Sequence, residues 1–202
     1  PFNHKLNACQ MGPRGNPVAS QLTKKADVII AIGTRLGFNS TFYTYDNLNK
    51  KAKIIQIELE RKMLGRYFPV SVAICADAST ATKQIYNEIK SQKLTSETNN
   101  WTKNYIKERN SYLNNRNNEN SLNKFPIQPK GLFKQLRNVL PKNSAITLDA
   151  GTLCLQATDA LEYYNPPSLF TPLDFGLVGF SFACGLGVKV ACPNKTVVSL
   201  MG

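Results

Sequence analysis

Acidic residues are scarce in this chain: 13 Asp and Glu stand against 25 Lys and Arg in 202 residues, a formal net charge of +12. Histidine is scarcer still, with His4 alone and no acidic or Cys residue beside it, so neither a His-based metal site nor a His general base is indicated. The five cysteines, at 9, 75, 154, 184 and 192, are odd in number and form no C-x-x-C pair, which argues against zinc or a redox dithiol and for reduced thiols in a cytoplasmic protein. No apolar run approaches the roughly 20 residues a membrane helix needs, so no membrane partner is expected. Pro1-Phe2-Asn3-His4-Lys5 carries neither an initiator Met nor a signal-peptide pattern, and reads as a start cut from something longer. The positive excess raises the question of nucleic acid, because clustered Lys and Arg neutralise phosphates. Here the cations are spread along the chain and interleaved with Asn, with no basic helix face, so no nucleic-acid partner is expected.

What is present is a core-forming composition, 42% hydrophobic and 19% charged, enough for one large or two ordinary domains. Residues 1–92 read as alternating helix and strand. Asn16-Pro17 opens a helix to about Lys25, because Pro is favoured in a first turn. Short apolar strands follow at Val28–Ile32, Lys53–Glu58 and Val70–Ile74, and Asp77 is placed to cap a helix to about Lys90. Strands that are apolar without alternation predict a parallel sheet buried on both faces by helices.

Residues 93–125 turn to Asn, Lys, Glu and Ser, with Trp101, Tyr105, Ile106 and Leu113 at loose helical spacing, which predicts a helical connector. From 126 to 202 the alternation resumes. A helix over 130–139 carries Leu132, Phe133, Leu136 and Leu140 on one face, the strand Ala145–Leu148 delivers Asp149-Ala150-Gly151-Thr152, and a helix follows to about Tyr163. Leu169-Phe170, a glycine loop, a helix over 179–191 and a final strand complete it. The fold class is therefore α/β, with two consecutive open parallel-sheet domains, the first Rossmann-like.

In such sheets ligands sit outside the carboxyl ends of the strands, where helix N-termini and free amides favour anions. Three segments occupy that edge: Asp149–Thr152, Phe175–Gly179 and Met201-Gly202. Glycines there let a ligand approach the backbone, and Leu177-Val178 between two of them presents bulk into the site.

The run FTPLDFGLVGFSFACGLGVKVACPNKTVVSLMG, residues 170–202, resembles the pyrophosphate-binding domain of thiamine-diphosphate enzymes of the acetolactate synthase type, which continue past that last Gly as Gly-Asp-Gly. ITLDAG resembles the entry to the same domain, while ADVIIAIGTRLG and AKIIQIELERKMLGRYFPVSVAICADA resemble the central domain of that family. The resemblance implies a thiamine diphosphate site in which Val178 wedges under the bent cofactor, Gly176 offers a carbonyl to the aminopyrimidine with Leu177 beside it, and Gly151, Thr152 and Leu153 approach the diphosphate. It implies Mg²⁺, with an Asp ligand expected just after Gly202 and hence no metal ligand within the chain. It implies no catalytic residue here either, since the Glu that activates the pyrimidine belongs to an N-terminal domain with no counterpart in these residues; a fragment inactive alone is expected. Gly33 and Arg35 match positions that contact FAD in flavin-containing members, and Glu58 ends the next strand; the central domain also persists without a nucleotide, which leaves FAD open.

The implied activity is formation or cleavage of a C–C bond next to a carbonyl, with a 2-oxo acid or aldehyde substrate. Acetolactate synthase is the leading expectation, and an intact parent would be a homodimer or homotetramer. GTRLG, KMLG and VSVAIC look closer to the sulfoacetaldehyde acetyltransferase branch, and a 2-oxo acid or oxalyl-CoA decarboxylase relative stays open. Outside enzymes, the alternative is a nucleotide-binding α/β module.

Overall fold

A computed structural model describes residues 2–12, 15–92, 100–118 and 125–202. They fall into two compact units. One is Pro17–Tyr105 with Met11 and Gly12; the other is Ile106–Gly202 with residues 2–10, Gly15 and Asn16. The connector helix α4 (Asn100–Asn118) is divided between them, and residues 93–99 and 119–124 of the expected connector lie outside the described residues. Among the described residues no helix is long and apolar enough to cross a membrane.

The first unit runs α1 (Pro17–Lys25), β1 (Val28–Ile32), α2 (Phe38–Thr41), β2 (Lys53–Glu58), β3 (Val72–Cys75) and α3 (Ala78–Ser91). Its sheet is parallel in the order β1-β2-β3, with Ile29 level with Ile54 and Ile57 with Ile74. Ile29, Ala31 and Ile54 share one face and pack with Leu36, Leu48 and Phe68. Each fully buried aliphatic side chain there stabilises the unit by about 1.5–3 kcal/mol. The expectation of strands buried on both faces fails at β1: Val28, Ile30 and Ile32 on its other face are about half exposed, at 52%, 52% and 47%. An apolar run reports which residues can be buried and not which face a helix covers. Asp77 does cap α3, its carboxylate accepting from the Thr80 amide at 2.8 Å.

The second unit holds α5 (Pro129–Val139), β4 (Ala145–Leu148), α6 (Thr152–Ala160), β5 (Leu169–Phe170), α7 (Phe180–Ala191) and β6 (Val197–Leu200). Its sheet is parallel in the order β5-β4-β6, which puts β4 in the centre with all four residues buried. Ile146 and Leu148 meet Phe133 of α5 and Cys154 and Ala157 of α6 in one cluster. Pro129 sits in the first turn of α5 as its fixed φ favours. Leu132, grouped by sequence with Phe133, Leu136 and Leu140, lies at the edge of that face and is 47% exposed. α6 stops at Ala160, short of Tyr163, because Leu161 turns extended and is buried.

Residues 2–10, first in the sequence, pack in this second unit. Arg109 donates from Nε to the Asn7 carbonyl and from a terminal nitrogen to that of Phe2, and the guanidiniums of Arg109 and Arg116 each lie 5.6 Å from the centre of the Phe2 ring. These cation–π contacts place two buried charges on an aromatic face.

On the other side of the sheet, α7 is held by a buried hydroxyl cluster. Thr147 Oγ1 lies 3.1 Å from Ser181 Oγ and 2.8 Å from Ser199 Oγ, while Ser181 Oγ donates to the Thr147 carbonyl at 2.8 Å. The close approach requires Gly185, where an added Cβ would overlap Ser199 Oγ and lie 3.2 Å from Thr147 Oγ1. Gly187, two positions further along the same helix, faces open space. The pair gives a paired test by thermal unfolding: Gly185→Ala is expected to destabilise by ~1–3 kcal/mol through overpacking, whereas Gly187→Ala is expected to stabilise by ~0.5–1 kcal/mol through helix propensity.

Candidate functional site

At the carboxyl end of the second sheet the chain leaves β4 through Asp149, Ala150 and Gly151. Gly151 adopts φ +113°, a conformation that disfavours any side chain, and is the residue from which α6 starts. A Cβ added at Gly151 would lie 3.5 Å from the Gly202 carbonyl oxygen, and one added at Gly202 would lie 3.6 Å from the Leu153 side chain. The structure therefore brings Gly151 and Leu153 to the end of β6, with Thr152 opening the helix between them.

The second segment, from Phe175 to Gly179, connects β5 to α7. Gly176 (φ +67°) and Gly179 (φ +84°) are both left-handed, and an added Cβ at either would meet nothing within 4 Å. Between them Leu177 is 49% and Val178 86% exposed. Thus Gly176, Leu177 and Val178 form an open, apolar-tipped loop at the same sheet edge as Gly151, Thr152 and Leu153.

Asp149 ties this loop to the strand end. It is buried, and its two carboxylate oxygens accept from the backbone amides of Gly179 at 2.9 Å and Ser181 at 3.1 Å. Those amide bonds, chiefly from Gly179 and then Ser181, hold its carboxyl below the usual carboxylate range. Sequence reasoning listed Asp149 within a loop but gave it no role. The helix α7 has only Gly179 as its N-cap and no side-chain cap of its own, so a carboxylate 30 positions earlier in sequence supplies one. The sequence expectation that helix N-termini along this edge attract an anion holds differently at the two helices: α7's is already occupied by Asp149, and α6's, starting at Gly151, has no side-chain cap.

In the first unit, Gly33 and Arg35 follow β1. Gly33 (φ +60°) is exposed, and its amide donates to the Ile57 carbonyl at 2.9 Å. The loop carrying Arg35 is tied down by buried Gln56, which donates to the carbonyls of Thr34 and Met63 and accepts from the Gly65 amide at 2.8 Å. Glu58, where a nucleotide ribose would be held, instead accepts from the amides of Leu59 and Glu60 at 2.9 and 3.2 Å. Arg35 and Glu58 thus sit at the expected edge, with the carboxylate turned onto its own loop.

Residues 1–85 match the family described as thiamine pyrophosphate enzyme, central domain, and residues 149–202 that described as thiamine pyrophosphate enzyme, C-terminal TPP binding domain. The chain belongs to the thiamine pyrophosphate enzymes, of which it carries these two domains in sequence order. Over 221 residues it is 28% identical to a sulfoacetaldehyde acetyltransferase of Castellaniella defragrans, covering 100% of this chain and 37% of that protein. It is 27% identical over 223 residues to a probable acetolactate synthase large subunit of Methanococcus aeolicus (99% of this chain, 35% of that protein). To the acetolactate synthase large subunit of Buchnera aphidicola subsp. Schlechtendalia chinensis it is 28% identical over 209 residues, covering 100% of this chain and 35% of the relative. The chain spans little more than a third of the length of these relatives.

The loops fit a cofactor of this kind. Left-handed glycines with empty space where a Cβ would stand, an α6 N-terminus without a side-chain cap and an exposed Leu177-Val178 pair are what a diphosphate joined to an apolar ring system needs. Among the described residues no group of three His, Cys, Asp or Glu side chains could hold a metal ion.

The amide contacts of Asp149 generate a pH test. Its folded-state pKa lies below the unfolded value of ~3.9, so its stabilisation is complete above that value and is lost as pH falls through the lower, folded one. In a carboxyl-carbon NMR titration Asp149 is expected to titrate below the ordinary carboxylate range; a midpoint at the ordinary carboxylate value would contradict the contacts.

Proposed function

We propose that this chain supplies the cofactor-cradling part of a thiamine-diphosphate-dependent enzyme that makes or breaks a C–C bond beside a carbonyl, most closely of the acetolactate synthase kind. The observation that carries the proposal is the glycine-bearing carboxyl edge of the second sheet, with Gly151–Leu153 after β4 and Gly176–Val178 after β5, within the residues matched to the TPP binding domain. In this reading 126–202 forms the cofactor domain, 1–92 the central domain and 93–125 the connector.

Thiamine diphosphate, when bound, stabilises negative charge on the carbon that was the substrate's carbonyl. The chain's residues provide the rest. The backbone around Gly151 and Thr152, with Leu153 behind it, receives the diphosphate, the Gly176 carbonyl accepts from the aminopyrimidine, and Leu177 and Val178 support its ring and keep water from it. Mg²⁺ belongs to the proposal as the counter-ion of the diphosphate, without assigned ligands among these residues. Gly33 and Arg35 would hold the phosphates of FAD where the parent binds it. The substrate is a 2-oxo acid or an aldehyde, and the assembly a cytoplasmic homodimer or homotetramer.

A second reading, acetyl transfer from sulfoacetaldehyde, is favoured by GTRLG, KMLG and VSVAIC in the central domain and by the relative of that name. Calorimetry of the full-length parent with thiamine diphosphate and Mg²⁺ tests the cofactor: saturable binding is expected, and none at millimolar cofactor would sink the proposal. Product assays on the full-length parent separate the two activities. Acetolactate from pyruvate supports the first, acetyl phosphate and sulfite from sulfoacetaldehyde and phosphate support the second, and neither product rejects both.

A further inference from the structure

We propose that Asp149 is a positioning residue for the cofactor: by holding the amides of Gly179 and Ser181 it fixes the Gly176–Gly179 loop in the shape that receives thiamine diphosphate. The inference rests on the cofactor reading above. Packing does not set this loop. Phe175 and Val178 are 84% and 86% exposed, and the positions of Gly176 and Gly179 face open space. Glycines at φ +67° and +84° also hold the greatest conformational freedom of any residue, so an untethered loop would sample many shapes. The tether must come from hydrogen bonds. One end of the loop is anchored by the Phe175 and Gly176 amides on the Pro172 carbonyl, at 3.1 and 2.6 Å. The other end is anchored by Asp149, whose carboxylate spans the Gly179 and Ser181 amides.

Asp149 can bear this role because it is immobile itself. It continues β4, every residue of which is buried, and its own amide donates to the Leu200 carbonyl at 3.1 Å. A charged acceptor in two amide bonds is about twice as strong as a neutral one. The same contact fixes the direction in which α7 leaves the loop, and with it the height at which Val178 stands. Asp149 touches neither ring of the cofactor in this scheme; it acts through Gly179.

Thiamine diphosphate affinity, measured by calorimetry with Mg²⁺ on the full-length parent, and amide hydrogen exchange test the proposal together. Asp149→Asn keeps size and loses the charged acceptor. It is expected to weaken binding on the order of 10- to 100-fold and to speed exchange at Gly179 and Ser181 while the β4–β6 amides stay protected. Val178→Ala is expected to weaken binding in the wild-type background and to add little on top of Asp149→Asn, since the loop is already displaced. Phe133→Leu loosens the buried cluster between α5 and α6, away from the loop; it is expected to lower the melting temperature and leave affinity unchanged. Equal losses for Phe133→Leu and Asp149→Asn would show general destabilisation and overturn the proposal, as would wild-type affinity in Asp149→Asn. Should Asp149→Asn not fold, Gly179→Ala strains the anchored residue without a clash, and wild-type affinity there overturns the proposal equally. Failure of the unmodified parent to bind is the separate outcome that removes the cofactor reading and this inference with it.

Discussion

The buried contact between the end of β4 and the start of α7 is the constraint on which the cofactor side of the molecule depends. Its lower half is the hydroxyl cluster of Thr147, Ser181 and Ser199; its upper half is the Asp149 carboxylate in the α7 amides. A hydroxyl or carboxylate taken from water into a sheet–helix interface costs free energy unless each is satisfied. Here the partners satisfy one another only in one arrangement of helix and strand. Such a contact specifies geometry more than it stabilises, because its interactions largely replace bonds to water. Gly185 permits the distance at which these short side chains meet, since any Cβ would part the helix from the sheet.

A rigid base with open loops above it is a division of labour the sequence encodes in residue size. Below the edge stand Thr, Ser, Gly and the fully buried Ile146 and Leu148. Above it stand left-handed glycines and exposed Leu177 and Val178. Exposing large apolar side chains next to free backbone is unfavourable in a domain with no ligand, and it becomes intelligible as preorganisation toward one. The central domain lacks this contrast: at its corresponding edge Gln56 satisfies the loops and Glu58 folds onto the amides that follow it. In the second unit Asp149 likewise satisfies the start of α7, whereas α6 has no side-chain cap.

Much of the fold was legible in the sequence because its signals are local. Apolar runs marked β1, β2 and β4, Pro17 and Pro129 marked helix starts, and Asp77 marked a cap three residues from the amide it meets. What was not legible depends on residues far apart. The pattern VIIAI gives no sign that one face of β1 is half exposed, and nothing near Leu132 tells that it stays half exposed while Phe133 is buried. The segment at Phe2 reads as part of the domain it precedes, yet it is held by Arg109 and Arg116, more than 100 positions later.

The candidate site follows the same rule. Glycines and the Leu177-Val178 pair announce themselves by type, because few other roles place small and bulky residues in alternation at a strand end. Asp149 does not, since an Asp after a strand is ordinary loop chemistry until its acceptors find donors. A sequence search could have found it by asking which residue caps α7, a helix that begins with Gly179 and Phe180 and carries no Ser, Thr, Asp or Asn in the cap position. A helix without a local cap needs a distant one or a ligand. In the second unit the two helices at this edge differ: α7 takes the protein's own carboxylate, and α6, opened by Gly151, has no side-chain cap.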